Sequence, residues 1–168
     1  MSPKSGLPAV VRPDARLLVL GSLPGDASIA AGQYYAHPRN SFWRLLGDVL
    51  DMDLSGMGYP DRLSALAQRR IGLWDVLAQA ERPGSLDAGI RDARPNDLSG
   101  LVASLPDLKA VAFNGAWAAR AGLKQLASFA PEVARINLPS SSPAHTQAYA
   151  DKLASWQALR PPLGAGSD

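Results

Sequence analysis

Two segments concentrate the side chains that could do chemistry. The first is GQYYAHPRNSFWRLL, residues 32–46. It sets Tyr34, Tyr35, Phe42 and Trp43 around His37 and Asn40, too polar and aromatic for an ordinary connection. Such a set suits a pocket rim: a ring to stack on a planar ligand and a carboxamide to orient water. Asn40 also fits as a helix cap, and Phe42 and Trp43 as core. The second is LPSSSPAH, residues 138–145, with hydroxyls at Ser140, Ser141 and Ser142 before His145. Serines with free backbone N–H groups make a phosphate clamp, and equally a helix cap. Asn114, in FNG, offers a donor and an acceptor suited to a nucleobase edge, although an Asn-Gly turn explains the pair as well.

Several other chemistries are excluded. The loop GSLPGDAS, residues 21–28, has neither the GxxxxGK[ST] nor the GxGxxG spacing, so it reads as a tight turn whose backbone approaches a ligand. A GxSxG nucleophile elbow does not occur. With no cysteine and two histidines, the chain has no thiolate nucleophile and lacks the usual ligands of a zinc or iron–sulfur centre. No metal or cofactor is expected. Asp75 could serve in acid–base work, but nothing adjacent in sequence completes a carboxylate pair.

These residues need a scaffold, and the apolar pattern supplies one. Short runs at Arg16–Leu20, Leu73–Leu77, Lys109–Phe113 and Val133–Leu138 read as strands punctuated by Gly or Pro. Apolar stripes at helical spacing cover Phe42 to Leu50, Leu63 to Ala67 behind Pro60, and Leu98 to Leu105. A last helix is predicted from Ser142-Pro143, with His145, Tyr149, Leu153 and Trp156 on one face and His145 at its mouth. Alternating strands and helices predict an α/β fold: a central parallel, about four-stranded sheet flanked by helices. Each polar peculiarity then falls in a loop after a strand, where α/β sheets bind ligands.

The 168 residues suit one domain, with loose ends expected at about 1–12 and 161–168. Hydrophobic residues make up 46% and charged ones 19%, a globular balance. Net charge is only +2, yet 13 of the 17 basic residues are arginine, the better planar donor for phosphate. No apolar run spans a membrane, and a cytoplasmic monomer, nucleoid-associated in a bacterium, is expected.

Taken in order, GSLPGDAS, QYYAHPRNSFW, GLWDVLAQAERPGSLDAGI, FNG and LPSSSPAH resemble the hypoxanthine-DNA glycosylase branch of the uracil-DNA glycosylase superfamily, over roughly residues 16–160. QYYAHPRNSFW is the most specific of these motifs. The resemblance implies a monofunctional enzyme that flips a deaminated base (hypoxanthine, uracil or both) from DNA and hydrolyses its N-glycosidic bond. It implies base binding by Gly21, Ser22, Leu23, Phe42 and Asn114, with Phe42 stacked on the base. It implies that Ser140, Ser141 and Ser142 grip phosphates, and that His37 or His145 assists the leaving group. Many relatives hold the attacking water with an Asp or Asn in the first motif. Leu23 stands there instead, so that catalytic role passes to Asn40. Arg82, Ser85 and Asp87 are expected to shape the pocket wall or an adjoining turn. The competing readings are a non-catalytic DNA- or nucleotide-binding α/β domain and an unrelated hydrolase of small nucleotides.

Overall fold

In a computed structural model, residues 2–164 are described. The elements are β1 (Lys4–Ser5), β2 (Leu17–Gly21), α1 (Asp26–Ala31), α2 (Phe42–Leu50), α3 (Tyr59–Gln68), β3 (Ile71–Asp75), β4 (Leu77–Glu81), β5 (Arg91–Pro95), α4 (Leu98–Ala103), β6 (Ala110–Asn114), α5 (Ala116–Leu126), β7 (Ala134–Leu138) and α6 (Tyr149–Trp156). Short 3-10 turns occupy Asp87–Gly89, Gln157–Leu159 and Pro161–Leu163.

The LLVLG of β2 explains the architecture. All five of its residues are buried, and successive side chains point to opposite faces. Leu17 and Val19 enter a core with Leu45, Leu46, Leu66 and Trp156, while Leu18 and Leu20 enter a second core with Leu98, Val102, Phe113 and Leu126. Helices α2, α3 and α6 therefore cover one face of the sheet, and α4 and α5 the other. The sheet order is β3-β2-β6-β7, with every pair parallel. Gly122 lets α5 lie flat on this sheet, since a methyl group there would sit 2.2 Å from the Phe113 ring.

The four expected strands and the parallel sheet are present, but several regions differ from expectation. The predicted strand Leu73–Leu77 straddles a break: β3 ends at Asp75, and the chain turns at Val76 into β4. There β1, β4 and β5 form a small antiparallel sheet that the apolar pattern does not announce. All five residues of β5 are exposed, so RDARP carries no apolar alternation to betray it. Residues 2–12 are likewise tied down rather than loose. Lys4 and Ser5 pair with Ala80 and Gln79, Val10 bridges to Leu73, and Leu7 and Val10 pack on the core. At the other end Pro161–Leu163 is a helical turn, and residues 165–168 lie outside the described ones.

The last helix begins at Tyr149, not at Ser142-Pro143. Ser142 makes one turn that does not propagate. Its hydroxyl accepts from the Ala144 N–H, and its carbonyl takes both the His145 N–H and the Lys152 ammonium. His145 thus stands on an exposed turn, outside the Tyr149–Leu153–Trp156 stripe.

Candidate active site at the carboxyl edge of the sheet

The chain lays β3 on one side of β2 and then crosses to place β6 on the other. In an open parallel sheet such a reversal leaves a crevice at the strand carboxyl ends. Gly21, Asp75 and Asn114 end the three strands that flank it. Gly21 and Asp75 are register partners, and a methyl group at Gly21 would lie 2.6 Å from Asp75 Oδ1 and 3.1 Å from Tyr35 Oη. Glycine is therefore required for these groups to converge.

An aromatic stack walls the crevice. The rings of Tyr35 and Phe42 lie 3.8 Å apart and 14° from parallel, and Trp43 and Trp156 meet Phe42 edge-on. Phe42 is fully buried, one face taken by Tyr35 and its sides by the tryptophans, so it has no face to offer a base. The expected stacking on Phe42 is corrected on that ground. Tyr35 is partly exposed and covers Phe42, so the accessible ring belongs to Tyr35. Its φ of 55° is a left-handed conformation that costs a non-glycine residue roughly 1 kcal/mol. Neighbours hold it there. Tyr34 is buried, its hydroxyl donating to the Leu7 and Pro8 carbonyls, its N–H to Tyr59 Oη, and its carbonyl accepting from Trp43 Nε1.

Asn40 closes the same segment. Its Oδ1 accepts the Phe42 N–H at 3.0 Å, which leaves one lone pair and the amide hydrogens. Asn114 is buried, and it holds Ser141 at both ends: Nδ2 donates to Ser141 Oγ and Oδ1 accepts the Ser141 N–H, each at 2.9 Å. The Ser141 carbonyl in turn accepts the Ser41 N–H. One serine therefore joins the Asn114 strand end to the Asn40 loop. At 1% exposure Ser141 cannot reach a phosphate, which corrects that expectation. Ser140 and Ser142 are partly exposed, each accepting an N–H of the turn through its hydroxyl. The buried Lys152, its ammonium pKa lowered by burial, braces this loop from beneath. His145 pairs with Gln147 and is exposed, so it does not sit at a buried pocket mouth.

The GSLPG loop is clamped by a residue distant in sequence but adjacent in space. Arg82 is fully buried and donates to the carbonyls of Leu23, Pro24 and Gly84. The Gly21 and Ser22 carbonyls accept the Val76 and Leu77 N–H groups. These bonds fix the backbone of Gly21, Ser22 and Leu23, so whatever it offers a ligand is offered from a rigid position. The Leu23 side chain packs into the core beside Leu20 and Leu77, where it cannot orient water. Ser22 Oγ donates to Asp87 Oδ1 at 2.6 Å, and Ser85 Oγ accepts the Asp26 N–H. Arg82, Ser85 and Asp87 thus hold the GSLPG loop through its carbonyls, a hydroxyl and the Asp26 N–H.

Sequence reasoning gave Asp75 no role, for want of an adjacent partner. It is buried, and Oδ2 has no hydrogen-bond partner. Burial above all, and the charge of Asp87 beside it, push its carboxyl up to about 7 against partial relief from Arg82. Tyr35 Oη is likewise buried, and burial followed by the nearby Asp75 raises its pKa against partial relief from the Asn114 side chain, keeping the phenol protonated. The signal in the sequence is an aspartate closing the apolar run Ile71–Trp74. Among the described residues, no group of three or more His, Asp or Glu could hold a metal.

A model of the uracil DNA glycosylase superfamily matches residues 8–160, nearly the whole described chain. The chain belongs to that superfamily. Over 161 residues it is 40% identical to a hypoxanthine DNA glycosylase of Methanosarcina acetivorans, covering 93% of this chain and 97% of that one. A hypoxanthine DNA glycosylase of Methanosarcina barkeri is 48% identical over 112 residues, 67% of this chain and 71% of the relative. The solution structure of a putative uracil DNA glycosylase from Methanosarcina acetivorans superposes with a TM-score of 0.85 at 39% identity, covering 97% of this chain and 99% of that one. The protein is thus a DNA glycosylase of α/β fold, and the crevice between β2 and β6 is where its superfamily's reaction is to be sought.

Proposed function

We propose that this glycosylase releases hypoxanthine from deaminated adenosine sites in DNA by hydrolysis, without a lyase step. The name borne by both Methanosarcina relatives supports hypoxanthine over uracil. In this reading the lesion is flipped into the crevice and stacks on the open face of Tyr35, extending the Tyr35–Phe42 pair to three rings. Asn40 orients the attacking water with the lone pair and amide hydrogens its turn leaves free. A carboxamide is adequate because the glycosidic bond is largely broken before water adds, so orientation and charge stabilisation dominate. Asn114 spends half of its hydrogen-bonding capacity on Ser141 and keeps the rest for the base edge. Ser140 and Ser142 meet the phosphates beside the lesion.

The observation that carries this reading is the linkage through Ser141, which fixes Asn40 and Asn114 relative to each other at the carboxyl edge. Duplex oligonucleotides bearing hypoxanthine, uracil or xanthine test it. Alkali-dependent cleavage at hypoxanthine, with an intact strand before alkali, is the expected outcome. Binding with no base released would instead make the crevice a recognition module.

A further inference from the structure

Asp75 Oδ2 is buried in the crevice with no hydrogen-bond partner, and Tyr35 Oη beside it is buried against the Asn114 side chain. Desolvating a polar group without a partner costs on the order of 1–3 kcal/mol, so such a carboxyl at this site calls for a function. The two side chains are neighbours. Asp75 Oδ1 and Tyr35 Oη both crowd the Cα of Gly21, the residue from which the first loop departs. A base stacked on Tyr35, as proposed above, would have one edge toward the hydroxyl end of that ring and so toward Asp75.

We propose that Asp75 is the general acid of the reaction, delivering a proton to N7 of the departing purine. This rests on the reading of the enzyme as a purine-releasing glycosylase. As the C1′–N9 bond breaks, its electron pair passes to the base, and the Asp75 carboxyl proton moves to N7. Water adds its oxygen to C1′ and releases a proton to solvent, from which the Asp75 carboxylate is reprotonated. A purine leaves as a neutral molecule in this way instead of as an anion.

The surroundings keep the acid loaded. Asp87 faces Asp75 from the turn after β4, and its own carboxyl is raised by burial, partly offset by the Ser22 hydrogen bond and Arg82. Arg82 is the nearby cation, but its N–H groups go to three carbonyls, and among the described residues it makes no ion pair within 4.0 Å. Tyr35, from the loop after α1, and Asn114, at the end of β6, complete the polar surroundings. The Asp75 carbonyl accepts from Asn96 Nδ2. An acid that titrates near 7 is well matched to proton transfer at neutral pH.

Single-turnover excision from a deoxyinosine duplex is measured from pH 5 to 9 for the wild type, Asp75→Asn and Asp87→Asn. The wild-type rate should be level below pH about 7 and fall about tenfold per unit above it. Asp75→Asn keeps the shape without the proton, and should be about 100-fold slower near pH 6 with that limb gone. Asp87→Asn should move the limb without removing it. A duplex carrying 7-deaza-deoxyinosine, which lacks the acceptor, should slow the wild type by a similar factor and Asp75→Asn no further. That substrate comparison is made within each enzyme, so a general loss of folding cannot mimic it. A limb kept in Asp75→Asn, a wild-type rate that rises through pH 7, or independent slowing by the substitution and the 7-deaza base each overturns the proposal. No release by the wild type overturns the hypoxanthine reading itself, and the acid with it.

Discussion

Replacing Asp75 by Asn should make stability less dependent on pH, whatever it does to activity. The folded carboxyl is pushed up to about 7 from an ordinary value of 3.8. Below pH about 4 the group is protonated in both folded and unfolded chains and contributes no slope. Between about 4 and 7 only the folded chain holds the proton, so stability falls as pH rises, by about 1.4 kcal/mol per unit. Above 7 the loss is complete, at about 4 kcal/mol in all. The substituted carboxamide has no proton to lose, although it too is left short of partners. The diagnostic is therefore the difference between variant and wild type as a function of pH, not its value at one pH. Urea denaturation at pH 5, 6, 7 and 8 reads it directly, with constant m-values as the check on two-state behaviour. The variant should gain on the wild type by about 3 kcal/mol between pH 5 and 8, which for a chain of this size is roughly 6–12 °C in Tm. Asp87 adds its own slope to both proteins. Parallel curves for the two would show that Asp75 is not the buried, uncompensated acid described here.

Three further substitutions separate structural from chemical roles. Asn40→Ala removes a turn hydrogen bond and should cost only about 1 kcal/mol by denaturation, yet lower single-turnover excision by orders of magnitude. Equal and modest losses in both would reduce Asn40 to a cap. Tyr35→Phe deletes a hydroxyl buried beside Asn114 and should change stability by no more than about 1 kcal/mol while keeping most activity, whereas Tyr35→Ala should lose base capture about 10- to 100-fold with the fold intact by circular dichroism. Asn114→Ala strands the buried N–H and hydroxyl of Ser141 and should destabilise by roughly 2–4 kcal/mol. Asn114→Asp can still accept from both and should retain most of the stability, so a shared activity loss in the two variants isolates the base contact.

Much of the scaffold was legible because it obeys period and punctuation. RLLVL, KAVAF and VARINL each lie within a residue or two of their strands; the first two are doubly buried, and all three are short apolar runs closed by Gly, Asn or Pro. What escaped depends on contacts far apart in sequence. The stack of Tyr35 over Phe42 reverses which ring is accessible, and no spacing rule within QYYAHPRNSFW distinguishes them. The pairing of Asn114 with Ser141 spans 27 positions and turns one of three equivalent serines into a buried strut. Arg82 reaches the carbonyls of Leu23 and Pro24 across 59 and 58 positions, so its role as a clamp was invisible beside a nearby Asp87. The late start of α6 has the same origin, because Lys152 holds the Ser142 carbonyl ten residues upstream. Local sequence thus indicated where the polar groups gather, and tertiary contacts decided which of them remain free for a ligand.

The most direct measurement is the release of free hypoxanthine from a deoxyinosine duplex under single-turnover conditions, followed by mass spectrometry for the wild type and Asn40→Ala. The wild type should liberate the base and leave an abasic strand that breaks only in alkali, and Asn40→Ala should bind the duplex while releasing almost none. Wild-type protein that binds the lesion without freeing the base, or an Asn40→Ala variant that frees it at the wild-type rate, would contradict the assignment of this crevice.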